Sequence, residues 1–136
     1  MGRVYVLDAC ALIASLADEP GAETVEALFD DADDDAMLVM SKLNLLEVYY
    51  DLLRRKGKEI ADDVLAEVRQ SPVHVIHEIS DAAFFEAGRL KAAYKISLAD
   101  AVALAEASIR HAFVTSDHHE FDRIEVSENI RFLWIR

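Results

Sequence analysis

Cysteine is nearly absent: Cys10 stands alone, so no intrachain disulfide can form, and a reducing compartment is the natural expectation. Long hydrophobic runs are missing too, and no apolar stretch approaches the roughly 18 to 20 residues needed to cross a bilayer. The N-terminal apolar stretch is interrupted by Asp8, and no small-residue cleavage site follows it. These absences predict a soluble, cytoplasmic protein with no membrane partner. The four glycines and two prolines are scattered, and no repeat, low-complexity tract or Gly/Ser linker occurs. A single domain over residues 1–136 is therefore expected.

Positive charge is also scarce. Fourteen Lys and Arg stand against 26 Asp and Glu, a net charge of −12. Such a chain repels a polyanion at long range, which argues against nucleic-acid binding through overall charge. Three routes stay open: bound metal ions that invert a local potential, a local basic patch, or a basic partner protein. The densest basic stretch is Arg54-Arg55-Lys56-Gly57-Lys58. It reads either as a track for an RNA backbone, with Arg54 and Arg55 as substrate contacts, or as a favourable helix C-terminus. The acidic run Asp30 to Asp35 reads as a solvated helix end and loop.

What is present is a globular composition, 53% hydrophobic and 29% charged, in a chain long enough for a core. Arg3 to Leu7 is a short β-branched and aromatic run, predicted as a buried strand. A brief helix follows over Cys10 to Leu16. A second begins near Pro20, placed as a first-turn proline, with Val25, Leu28, Phe29 and Ala32 on one face. Met37 to Met40 is a strand, after which Ser41 caps a long helix to about Arg55, with Leu43, Leu46, Tyr50 and Leu53 inward. Lys58 to Gln70 is a helix burying Ile60, Val64 and Val68, and Val73 to Ile76 a strand. Ser80 and Ser97 cap helices reaching about Lys95 and His111, and strands at Ala112 to Thr115 and Ile130 to Ile135 complete the pattern. Strands alternating with helices predict an α/β fold, a parallel sheet with helices on both faces. Sites in that architecture form outside the carboxyl ends of the strands.

Four acids lie where such a site would be. Asp8 follows the first strand, and Asp117 follows the strand ending at Thr115. Asp100 lies three residues after Ser97, on the first turn of a helix. Each reads equally as a helix-capping residue. Glu47 is different: it sits mid-helix on or beside the apolar face, where a carboxylate is costly unless paired or bound to metal, although a long side chain can reach water. No cation adjoins any of the four in sequence. Clustered carboxylates without counter-charge repel, and a hard divalent cation resolves the repulsion, with Mg²⁺ or Mn²⁺ the usual choice. Zinc is disfavoured, because the histidines lack paired ligand spacing.

An acidic Mg²⁺ site suits phosphoryl chemistry. The chain has no Gly-rich phosphate loop and no nucleophile elbow. Asp8-Ala9-Cys10 also lacks the second acid of a haloacid-dehalogenase-like phosphatase. Metal-assisted hydrolysis of a phosphodiester remains.

The segments carrying these acids are Val6-Leu7-Asp8-Ala9-Cys10-Ala11-Leu12-Ile13, Asn44-Leu45-Leu46-Glu47-Val48, Ile96-Ser97-Leu98-Ala99-Asp100-Ala101 and Val114-Thr115-Ser116-Asp117 with Phe121-Asp122. In this order the chain resembles a PIN domain, and more narrowly the VapC-type toxins of VapBC toxin–antitoxin pairs, over essentially its whole length. No one motif is specific; four in order at whole-domain spacing are. The resemblance implies a three-layer α/β/α fold with a mostly parallel central sheet. It implies an endoribonuclease whose Mg²⁺ or Mn²⁺ ligands are Asp8, Glu47, Asp100 and Asp117, with Asp8 and Asp100 the direct pair. It further implies RNA as substrate, a VapB-type antitoxin covering the acidic site, and a homodimer. Cys10 departs from the pattern, since the family usually places Ser or Thr there and a thiol is a poorer hydrogen-bond donor. Thr115 and Ser116 read either as donors to Asp117 or a substrate phosphate, or as plain strand-end polar residues. His118 and His119 read as exposed turn residues, and Tyr49 and Tyr50 as packing or partner contacts.

Two other readings stand beside this one. A receiver-like phosphoacceptor domain also sets acids around Mg²⁺ at strand ends, but it wants paired acids near the first strand and a late-strand lysine. A PIN fold that binds without cutting would keep the architecture and lose the chemistry.

Overall fold

The computed structural model describes residues 3–32, 36–110 and 112–136. The acids Asp33, Asp34 and Asp35 of the expected loop, and His111 at the expected helix end, lie outside the described residues. The chain runs β1 (Arg3–Leu7), α1 (Ala9–Leu16), α2 (Ala22–Asp30), β2 (Ala36–Ser41), α3 (Lys42–Lys56), α4 (Lys58–Gln70), β3 (Val73–Ile76), α5 (Asp81–Ala93), α6 (Leu98–Ile109), β4 (Ala112–Thr115), α7 (His118–Ser127) and β5 (Arg131–Trp134). Among the described residues five strands form one sheet in the order β3-β2-β1-β4-β5, with every pairing parallel. A receiver-like sheet runs 2-1-3-4-5 instead, so the strand order sets that reading aside.

Strand side chains alternate between faces, and the core divides accordingly. Val6, Val39 and Phe113 face one cluster, with Leu90 of α5, Leu104 of α6 and Ile124 of α7. Their neighbours Leu7, Met40 and Val114 face the other, with Leu12 of α1, Val25 of α2 and Val48 of α3. The result is a three-layer α/β/α sandwich. Helix α6 is buried over Ala101 to Ala107, as expected of a helix apolar nearly all round. Its alanines let it lie close against β1, β2 and β4. Among the described residues no helix is long and apolar enough to cross a membrane.

Side-chain caps start most helices that leave the carboxyl edge of the sheet. Asp8 accepts from the Ala11 N–H, Ser41 from Leu43, Ser97 from Asp100 and Asp117 from Glu120. Each cap satisfies an amide that the helix leaves without a partner.

Three expectations are corrected. Pro20 precedes α2 rather than opening it: Gly21, at a left-handed φ of 100°, is the N-cap, and a Cβ there would lie 2.8 Å from Ile135. Helix α3 buries Asn44, Leu45 and Val48, while Leu46, Tyr50 and Leu53 are exposed, because it carries two apolar stripes and packs the other one inward. In α4 the exposed Ile60 yields the inward position to Ala61.

Candidate functional site

Strand β1 lies between β2 and β4, so connections leave its two sides in opposite directions. In open parallel sheets that switch in strand order opens a crevice at the carboxyl edge. Asp8 follows the last residue of β1, and Leu7 is level with Val114 in β4. Asp117 therefore leaves the sheet beside Asp8. Glu47 comes from the second turn of α3 and Asp100 from the first turn of α6, both helices starting at this edge.

Asp8 is buried, with 2% of its surface exposed, and both its oxygens are held. The Ala11 N–H donates to Oδ1 at 2.8 Å, and the Thr115 hydroxyl donates to Oδ2 at 2.5 Å. Burial pushes its carboxyl from 3.8 up to about 7, against those two bonds, and the charges of Asp100 and Asp117 push the same way. Asp100 is half-buried and raised to about 6, by burial first and then by the charge of Glu47. The Ser97 hydrogen bond opposes this, while Glu120 and Asp117 add to it. The Cys10 thiol registers the whole group. Burial, then Asp8, Asp117, Asp100 and Glu47 in that order, push it up to about 12. One sulfur thus lies in the field of all four acids, and it stays a protonated thiol at neutral pH.

The structure brings the four predicted acids to one edge and into one field. It does not join them into a finished cage: among the described residues no three His, Cys, Asp or Glu side chains are grouped to hold a metal ion. The donors nonetheless fit a hard divalent cation in kind. They are all carboxylate oxygens, and the charges pressing hardest on Asp8 and Asp100 are negative.

Thr115 differs from expectation. Its side chain is fully buried; it donates to Asp8 and accepts the Asp117 N–H at 3.0 Å. The hydroxyl ties the ends of β1 and β4 together, so it is not free for a substrate phosphate. Ser116 is half-buried, and its carbonyl accepts the His118 N–H. Arg54 and Arg55 stand two turns beyond Glu47 on α3, exposed and both paired with Asp51 at 3.2 and 2.7 Å. His118 is exposed as expected but belongs to the first turn of α7, where it stacks on Trp134 and bonds Asp122. Tyr49 makes a packing contact, its hydroxyl donating to Asp62 of α4 at 2.6 Å.

Two residues of the site were not singled out from the sequence. Glu120, a turn after Asp117, raises Asp100 and is a fifth acid at this edge; its spacing from Asp117 along one helix face was the available signal. Asn44 is fully buried, and its Nδ2 donates to Glu47 Oε1 at 2.8 Å. An amide three residues before a carboxylate on one helix is the pattern that marks it.

The family model for the PIN domain matches residues 5–126. Among solved structures, the chain is similar to DNA-bound VapBC from Salmonella typhimurium at 17% identity and a TM-score of 0.75, covering 100% of both chains. It is similar to VapBC-1 from nontypeable Haemophilus influenzae at 19% identity and a TM-score of 0.73, covering 97% of this chain and 98% of that one. The sarcin–ricin loop cleaving toxin VapC20 of Mycobacterium tuberculosis matches at 18% identity and a TM-score of 0.64, covering 88% of this chain and 94% of that one. Comparison with curated protein sequences finds no match. At these identities the solved structures show the fold, and the family model, spanning both strand-end acids as well as Glu47 and Asp100, shows the family. The chain belongs to the PIN domain family.

Proposed function

We propose that this chain is a metal-dependent endoribonuclease, the VapC-type toxin of a toxin–antitoxin pair. The observation that carries the reading is Asp8: a buried carboxylate fixed at both oxygens, pressed by two other acids at the carboxyl edge of the sheet. A fold does not retain that arrangement for stability, since buried like charges raise one another's energy. It suits a site that awaits positive charge.

Asp8 and Asp100 would hold the ion directly, with Glu47 and Asp117 closing the site or acting through water. A Mg²⁺ or Mn²⁺ bound there supplies charge neutralisation for a phosphodiester and acidifies an attacking water. The chain's own residues do the positioning. Thr115 and the Ala11 N–H keep the Asp8 carboxylate in one orientation. The Glu120 N–H anchors Asp117 Oδ1 at 3.1 Å. Burial pushes the Asp8 carboxyl up to about 7, so a divalent cation held there would favour its deprotonated form. RNA is the substrate class the VapC20 neighbour supports.

Neighbours solved as VapBC complexes support a VapB-type antitoxin as partner. The molecule offers such a partner a surface: Phe84, Phe85 and Leu98 are 61%, 73% and 62% exposed and line a cavity of about 490 Å³ with Leu43, Ile79 and Val102. Exposed apolar surface of this kind is commonly covered by another protein. A homodimer in the cytoplasm completes the proposal.

The test is cleavage of total RNA by purified protein with Mg²⁺ or Mn²⁺ and with EDTA. Cutting is expected only with metal, and Asp100→Asn is expected to abolish it while the circular dichroism spectrum is unchanged. Cutting that survives EDTA, or an active Asn variant, would overturn the assignment.

A further inference from the structure

Asn44 has no exposed surface, yet only one end of its amide is engaged. Nδ2 donates to Glu47 Oε1 at 2.8 Å, while the buried Oδ1 has no hydrogen-bond partner among the described residues. The opposite amide orientation would aim an acceptor at a carboxylate, so the orientation is the one that electrostatics requires. A buried amide with an idle acceptor is a poorer core residue than an apolar side chain. Its neighbours on the inward face, Leu45 and Val48, show that this stretch of α3 packs well with apolar residues. The fold therefore gives no reason for an amide at this position.

Glu47 gives one. It is a half-buried side chain with three rotatable torsions, and its charge reaches both Asp100 and Cys10. A fixed donor on Oε1 restricts those torsions and leaves Oε2 unused by Asn44. Hydrogen bonds of this sort to ligating carboxylates orient them and tune metal affinity. We infer that Asn44 is a positioning residue, an amide kept in the core to preset Glu47 for a divalent cation. This rests on the metal-site reading given above.

Two variants separate positioning from packing. Asn44→Leu keeps the branching of the side chain and Asn44→Ala leaves no atoms that could overpack; both lack the donor. For each, the Mn²⁺ dissociation constant is measured by calorimetry, melting temperature in metal-free buffer, and the Glu47 side-chain rotamers by NMR. Both variants are expected to bind Mn²⁺ about tenfold more weakly than the wild type, to a similar degree, and to average Glu47 among rotamers. Their melting temperatures are expected to diverge, Leu above Ala. Wild-type affinity in either variant, or affinity losses that follow the order of melting temperatures, would overturn the inference and leave the metal site standing. A wild-type protein that binds no Mn²⁺ would overturn the metal-site reading itself, and the role of Asn44 with it.

Discussion

Asp8 serves as helix cap and candidate ligand with one carboxylate, and the sequence offered those as alternatives. Its Oδ1 caps α1 through Ala11 while its Oδ2 meets Thr115, 107 residues away in sequence. The second contact was illegible beforehand because it depends on β4 lying beside β1, which no local pattern states. Burial gives Asp8 a measurable signature. In the unfolded chain the carboxyl releases its proton near 3.8, whereas in the metal-free native state it keeps it up to about 7. The native state thus binds the extra proton between those values, so stability falls as pH rises through that window and levels off above it. Asp100, raised to about 6, adds to the same slope. Melting temperature in EDTA is expected to fall from pH 5 to pH 7, and Asp8→Asn to flatten most of that fall. A rise over this range in the wild type would show that the carboxylates are paired with cations instead.

Elements are legible in the sequence where a cap or an alternation marks them, and ambiguous where two patterns compete. Ser41, Ser80 and Ser97 start helices at the expected residues because each side chain meets a free amide at the helix start. Helix α3 defeated the periodicity argument. Leu43, Leu46, Tyr50 and Leu53 fit a helical stripe, but so do Leu45, Val48 and Leu52, and only contact with the sheet decides between them. Glu47 still flanks the buried face, beside Asn44 and Val48. The start of α2 depends on Gly21, whose positive φ and close approach to Ile135 admit no side chain. Gly21→Ala is expected to destabilise the fold by roughly 1–3 kcal/mol in urea titration. Unchanged stability would mean that the chain between α1 and α2 relaxes freely.

For the molecule as a whole, strand–helix alternation was enough to anticipate a parallel sheet and to direct attention to its carboxyl edge. The strand order was not legible, and it is the order that sets Asp8 and Asp117 side by side. The net charge of −12 remains consistent with the site. Four acids converge at one edge, while the basic residues Arg54 and Arg55 are occupied by Asp51 on the far part of α3. A divalent cation bound among these acids would offset the negative charge at that edge, so ion binding is the property that tests the site. Calorimetric titration of the metal-free protein with Mn²⁺, in two buffers of different ionisation heat, measures ion binding and proton release together. With Asp8 near 7, binding at pH 7 is expected to release roughly half a proton from that carboxyl. Release should shrink at pH 8.5, and affinity should collapse in Asp8→Asn. Absence of Mn²⁺ binding, or binding that neither releases protons nor responds to Asp8→Asn, would contradict a metal site built on these acids.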